Sequence, residues 1–139
     1  LDLDMVTKTS IPHQPIYWRA RRLKGDCHLK LKEYKEAARE YKFFTSKKFT
    51  SDTPNILWTK KTYHNYGLAL LGLKDYEKAV TAFNESIAIE EGKGKLTEAD
   101  QFYYRGFALK HAGKKGYKED LSKAADCGSD AAVALLAAS

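Results

Sequence analysis

Cysteine is scarce in this chain. Cys27 and Cys127 are the only two, 100 positions apart, and no Cys-x-x-Cys or Cys/His ligand spacing surrounds them. A disulfide framework and a zinc centre are therefore without support. Each cysteine sits among helix-forming residues, where a free thiol packs as a small apolar side chain, so both are expected to be buried. No apolar run approaches the roughly 18 residues needed to span a bilayer, which predicts a soluble chain with no membrane insertion. The opening Leu-Asp-Leu-Asp lacks the basic-then-apolar order of a signal peptide. Because the first residue is not Met, the chain reads as a processed or excised piece. The missing leader thus leaves the compartment open, with the cytoplasm as the default. Long polar tracts are also missing, which argues against disorder over most of the length; residues 1–14 alone are expected to form a flexible segment.

What is present is a chain of 139 residues, 43% hydrophobic and 12% aromatic, long enough to bury one stable core over residues 15–139. An internal repeat sets the fold. Residues 29–37 read Leu-Lys-Leu-Lys-Glu-Tyr-Lys-Glu-Ala and residues 71–79 read Leu-Gly-Leu-Lys-Asp-Tyr-Glu-Lys-Ala, an offset of 42. The same offset places Gly25 on Gly67, Cys27 on Ala69 and Tyr41 on Phe83. A fainter third copy begins at Gly106, with Ala108 in the small position and Tyr117 after the turn Gly113-Lys-Lys-Gly116.

A glycine inside a helix costs about 1 kcal/mol relative to alanine, so its recurrence predicts close approach by a neighbouring helix. Ala37 and Ala79 would offer the reciprocal small surface. Tyr41 and Phe83, four residues further on, share their helical face. Tyr34 and Tyr76, just past a short turn, are expected to fill the space between the two helices of a hairpin. Pro15 and Pro54 suit first helical turns, Asp52 or Thr53 could cap the second pair, and Thr97 to Asp100 resembles a capping box. Helices are predicted near 15–31, 33–46, 54–73, 75–91, 97–112 and 117–127. A short capping helix over 129–138, rich in alanine with Val133, Leu135 and Leu136, would follow Ser129. No strand pattern competes.

The order Tyr63-Lys-Thr-Tyr66-Gly67-Leu-Ala-Leu70, followed by Ala79-Val-Thr-Ala-Phe83, resembles the tetratricopeptide repeat. The first copy keeps Gly25, Tyr34, Ala37 and Tyr41, but has Arg21, Lys24 and His28 at signature positions. The third keeps Phe102, Gly106, Ala108 and Tyr117, while Arg105 departs and Asp120 and Ala124 stand in the alanine-to-aromatic step. The resemblance implies an all-α, right-handed superhelical stack of three hairpins, about 15–46, 54–91 and 97–127. It also implies a protein-interaction module, a scaffold or adaptor, that holds a peptide or partner helix in a concave groove lined by the first helix of each pair. Carried over to this chain, the groove positions are Arg19, Arg22, Asp26, Leu29 and Lys30, then Lys61, His64, Leu68 and Leu71, then Asp100, Tyr103, Phe107, Lys110 and His111. Asn65 is added from the subclass that clamps a terminal carboxylate. Arg22 could serve there too, but Asp26, Asp100 and Tyr104 occupy positions where that subclass has other residues.

Charge is unevenly spread. Residues 1–70 carry 14 Lys or Arg against 7 Asp or Glu, and the remainder is near balance. An acidic ligand is therefore expected near Arg19, Arg22 and Lys61, with an apolar or aromatic group near Tyr103 and Phe107. The alternative is nucleic-acid binding through the basic face of Arg19, Arg21, Arg22 and Lys24 beside Tyr17 and Trp18, but no reading motif accompanies the charge. Catalysis has the least support. The four histidines, His13, His28, His64 and His111, form no His-x3-His pair, and no cofactor or metal is implied. Lys93-Gly-Lys95 and Gly113-Lys-Lys-Gly116 lack the order of a phosphate loop and read as connections between helices. The open ends of a short stack would be compatible with self-association.

Overall fold

The computed structural model describes residues 15–45, 56–88 and 98–138, with side chains described over 20–42, 60–88 and 99–138. The expectations for residues 1–14, for the caps at Asp52, Thr53 and Thr97, for the connection at Lys93 to Lys95, and for the side chains of Tyr17 and Trp18 lie outside the described residues.

The described residues form an all-α array of seven helices. These are α1 (Pro15–Lys30), α2 (Tyr34–Thr45), α3 (Ile56–Gly72), α4 (Tyr76–Ala88), α5 (Glu98–His111), α6 (Tyr117–Asp126) and α7 (Asp130–Ala137). Packing is between sequence neighbours: α1 with α2, α3 with α4 and α5 with α6 form hairpins, and α2 on α3 and α4 on α5 join one hairpin to the next. Lighter contacts of α1 with α3, and of α3 with α5, line up the first helices side by side. Such nearest-neighbour packing defines a helical-repeat stack.

Each hairpin closes where a glycine of its first helix meets a bulky side chain of its second. A methyl group on Gly25 would fall 2.7 Å from the Tyr41 ring, and one on Gly67 would fall 2.5 Å from the Phe83 ring. Both rings are wholly buried, as are Ala37 and Ala79 one turn earlier on α2 and α4. Close-packed interiors leave no slack for an added carbon at such contacts. Fully burying a ring of this size stabilises the fold by about 1.5–3 kcal/mol, which exceeds the helix-propensity cost of the facing glycine.

The third hairpin keeps the geometry with different chemistry. A methyl group on Gly106 would lie 2.9 Å from Leu121, which takes the place of the ring. Asp120, where the other copies have alanine, is buried, and Arg105 reaches it with two hydrogen bonds of 2.6 and 2.8 Å. Arg105 also donates to Asn84 at 3.2 Å, tying α5 to α4. The two departures from the repeat pattern, Arg105 and Asp120, are thus a single compensated exchange, because a buried carboxylate is tolerable only with a paired donor.

Tyr34 and Tyr76 also reach beyond their own hairpins: Tyr34 lies against Gly72 at the end of α3, and Tyr76 stacks on His111 at the end of α5, centroids 5.1 Å apart. Following a tight turn, each ring begins the second helix at the edge that faces the incoming hairpin. The cysteines correct one expectation, since both are exposed. Ala69 and Ala108, in the position equivalent to Cys27, are buried against the second helix of the preceding hairpin. Cys27 belongs to the first hairpin, and among the described residues no earlier helix covers it. Cys127 is the C-cap residue of α6.

The turns Leu31 to Glu33 and Leu73 to Asp75 place Lys32 and Lys74 in the left-handed region, with φ of 60° and 61°. The longer third turn uses Gly113 and Gly116 there, with φ of 71° and 96°. At the far end, Ser129 caps α7 by accepting the Ala132 N–H at 3.1 Å, and Ala132 is buried against Leu121 and Ala124. Leu135 and Leu136 are partly covered, while Val133 is exposed.

Two outcomes follow for stability. Gly67→Ala should lower the unfolding free energy by about 1–3 kcal/mol in urea titrations even though alanine favours helix, and combining it with Phe83→Leu should recover part of the loss. Asp120→Ala alone, which restores the repeat consensus, should destabilise by roughly 2–3 kcal/mol by stranding Arg105, whereas adding Arg105→Leu should return most of it.

Candidate functional site

The first helices α1, α3 and α5 run side by side, so residues at matching positions along them share one face of the stack. That face holds a groove of about 460 Å³. Its walls are Leu29 from α1, Leu68 and Leu71 from α3, and Tyr103, Tyr104 and Phe107 from α5. Tyr34 and Gly72 close one end, and Lys30 and Lys32 stand on the rim. Six positions carried over by the repeat register, Leu29, Lys30, Leu68, Leu71, Tyr103 and Phe107, therefore meet in one cavity.

The rings of this wall are held by each other. Tyr103 meets Tyr104 edge-on at 5.0 Å and Phe107 at 6.2 Å, and Phe107 contacts His111 at 4.2 Å between centroids. Burial, with Asp100 as the second cause, raises the Tyr104 hydroxyl above its ordinary value. Such tilted arrangements satisfy the ring quadrupoles and hold the wall in one geometry.

One turn earlier along α1 and α3, beside the residues that line the groove, lies a polar cluster. Asp26 accepts the Tyr41 hydroxyl at 2.5 Å and the Asn65 amide at 3.2 Å on one oxygen, and the Arg22 guanidinium at 3.3 Å on the other. Three predicted groove residues, Arg22, Asp26 and Asn65, thus form one knot that also fastens α2. Burial, reinforced by the Asp26 charge, pushes the Tyr41 hydroxyl far above its usual range, so it stays a donor. Elsewhere in the N-terminal basic cluster, Arg21 and Lys24 lie 3.1 and 3.6 Å from Glu40 of α2.

The remaining predicted positions scatter. Lys61 and Asp100 are exposed and Lys110 is half-buried. The Arg19 side chain lies outside the described residues. His64 requires a correction: it is only 4% exposed, held between Phe83 and Tyr104 with centroids 5.4 and 5.6 Å away. It holds the register position of Tyr103, three residues before the repeat glycine, but lies in the seam between α4 and α5, where Phe83 and Tyr104 enclose its ring. Burial depresses its imidazole to about 4, opposed by the attraction of Asp100 and reinforced by Lys60 and Lys61.

Sequence reasoning missed Lys32, Tyr34, Gly72 and Tyr104 as lining residues. Tyr34 and Gly72 were legible as a tyrosine after one turn and a glycine before the next. Only the inter-hairpin register shows that they touch.

Among the described residues no group of three or more His, Cys, Asp or Glu could hold a metal ion, and no helix is long and apolar enough to cross a membrane. Comparison with protein families matches the tetratricopeptide repeat over residues 60–93. No curated protein and no solved structure matches the chain. A tetratricopeptide-type repeat is therefore present over part of the chain, within an all-helical stack of hairpins of the same kind.

His64 gives this region a pH signature. Its folded value lies near 4 against 6.5 for a free imidazole, so the unfolded chain binds the extra proton first. Its contribution is complete above pH 6.5 and falls away as pH drops from there towards 4, by roughly 3 kcal/mol in all. Thermal melts followed by circular dichroism should show a decline across that window, and His64→Phe should flatten it.

Proposed function

We propose that the chain binds a segment of another polypeptide along the face formed by α1, α3 and α5, and that it serves as a scaffold or adaptor, not as an enzyme. The observation that carries this reading is the groove beside Leu68 and Phe107, walled by residues from three successive first helices. Its apolar floor suits a bulky side chain. The polar knot at Asp26 offers hydrogen-bonding groups to a passing backbone one turn away. Tetratricopeptide repeats in general mediate protein–protein interaction, which agrees with the match over residues 60–93. Residues 15–139 are taken as one functional unit and 1–14 as a segment apart.

The nucleic-acid alternative gains little from the geometry. Arg21 and Lys24 are directed to Glu40 and Arg22 to Asp26, so each of these three cations already lies beside an acidic group of the chain itself. Phosphate binding needs cations whose charge is not already answered.

Selection of a displayed random-peptide library on the folded chain tests the reading. Enriched peptides should carry a bulky apolar residue and lose at least about tenfold in affinity to Phe107→Ser, corresponding to about 1.4 kcal/mol. Retained affinity in that variant, at an unchanged melting temperature, would place binding elsewhere.

A further inference from the structure

The cations around the groove differ in what they are free to do. Arg22 is held by Asp26, and Arg21 and Lys24 by Glu40, all at side-chain exposures of about a fifth or less. Lys30 and Lys32 are exposed, stand on the groove rim, and have no acidic partner among the described residues. The nearest acid in sequence, Glu33, lies 3.3 Å from His28. Among the described residues no aspartate or glutamate lines the cavity. The cavity is thus an apolar slot with two unanswered positive charges at one edge.

From this we infer that the groove's ligand is an acidic peptide segment, in which a bulky apolar side chain enters between Leu68 and Phe107 while one or two neighbouring carboxylates meet Lys30 and Lys32. The inference rests on the groove being a peptide site and adds the chemistry of its occupant. It moves the anionic contact from Arg19, Arg22 and Lys61 to the turn between α1 and α2. Arg22 cannot turn to a ligand without stranding Asp26, which also holds Tyr41 and Asn65. Lys32 is well placed for the role because its left-handed backbone, φ 60°, sits in a short hydrogen-bonded turn between Leu29 and Glu33. The position of its Cα is therefore fixed while the side chain remains solvated. Long lysine side chains on a rim mainly select the partner and speed encounter, and the apolar slot supplies the holding energy. A nucleic-acid strand fits less well. The wall rings meet each other edge-on or tilted, and two lysines give no track of charge for a phosphate backbone.

The test repeats the library selection on the full chain and on Lys30→Glu/Lys32→Glu, a pair of exposed changes that leaves the core untouched. Peptides enriched on the parent chain should bear net negative charge beside an apolar residue. They should weaken about tenfold on the charge-reversed chain, and weaken again as salt rises from about 0.05 to about 0.5 M. The reversed chain should enrich basic peptides that keep the apolar residue. Peptides that need Phe107 but ignore the two lysines would overturn this inference while leaving the peptide-groove reading intact, and peptides indifferent to Phe107 would overturn both. Competition by a single-stranded oligonucleotide at that site, or a doubled mass in light scattering that the lysine reversal returns to monomer, would assign the groove to a nucleic acid or to a second copy instead.

Discussion

The stack depends on how closely two helices can approach within each hairpin. In the first two copies a glycine on the first helix admits a ring from the second, Gly25 for Tyr41 and Gly67 for Phe83, with a methyl-sized side chain excluded by contact. The short approach buries the ring and the alanine one turn before it, and it fixes the rotation of both helices about their axes. Once that rotation is set, the face pointing away from the second helix is determined. That outward face of α1, α3 and α5 carries Leu29, Leu68, Tyr103 and Phe107 into one cavity.

Two further devices join the hairpins. Tyr34 and Tyr76 reach forward onto Gly72 and His111, so each turn is covered by the unit that follows. The polar knot at Asp26 does the corresponding work inside the first two units, linking α1, α2 and α3 through Arg22, Tyr41 and Asn65. The third hairpin keeps an apolar contact between Gly106 and Leu121, adds the Arg105 and Asp120 pair, and reaches Asn84 of the preceding unit. Ion pairing of this kind adds little net stability over an apolar pair but is costly to break, which favours a single arrangement of the last hairpin. Beyond it, α7 covers Leu121 and Ala124.

Much of this arrangement was legible in the sequence because the repeat carries its physics in a few residue types. Gly25, Gly67 and Gly106 announced close helix contacts, the spacing from glycine to ring gave the hairpins, and the resemblance to the tetratricopeptide repeat supplied the candidate groove positions. The seven described helices fall within a few residues of the expected spans. What escaped were features set by neighbours in space. Cys27 shares a register position with the buried Ala69, yet is exposed because burial there comes from the preceding hairpin. Arg105 and Asp120 looked like two separate losses of pattern, although they are one exchange across a hairpin. The charge surplus of the N-terminal half pointed to Arg22 as a ligand contact, and only the geometry shows that Arg22 is paired with Asp26, and Arg21 and Lys24 with Glu40.

The central claim, that the first two hairpins are each closed by a ring laid directly on a helical glycine, is open to direct observation by proton NMR of the folded chain. The account predicts that the α-protons of Gly25 and Gly67 are shifted upfield by the ring currents of Tyr41 and Phe83 and cross-relax with those ring protons. Ordinary helical-glycine shifts, with no cross-relaxation to either ring, would contradict it.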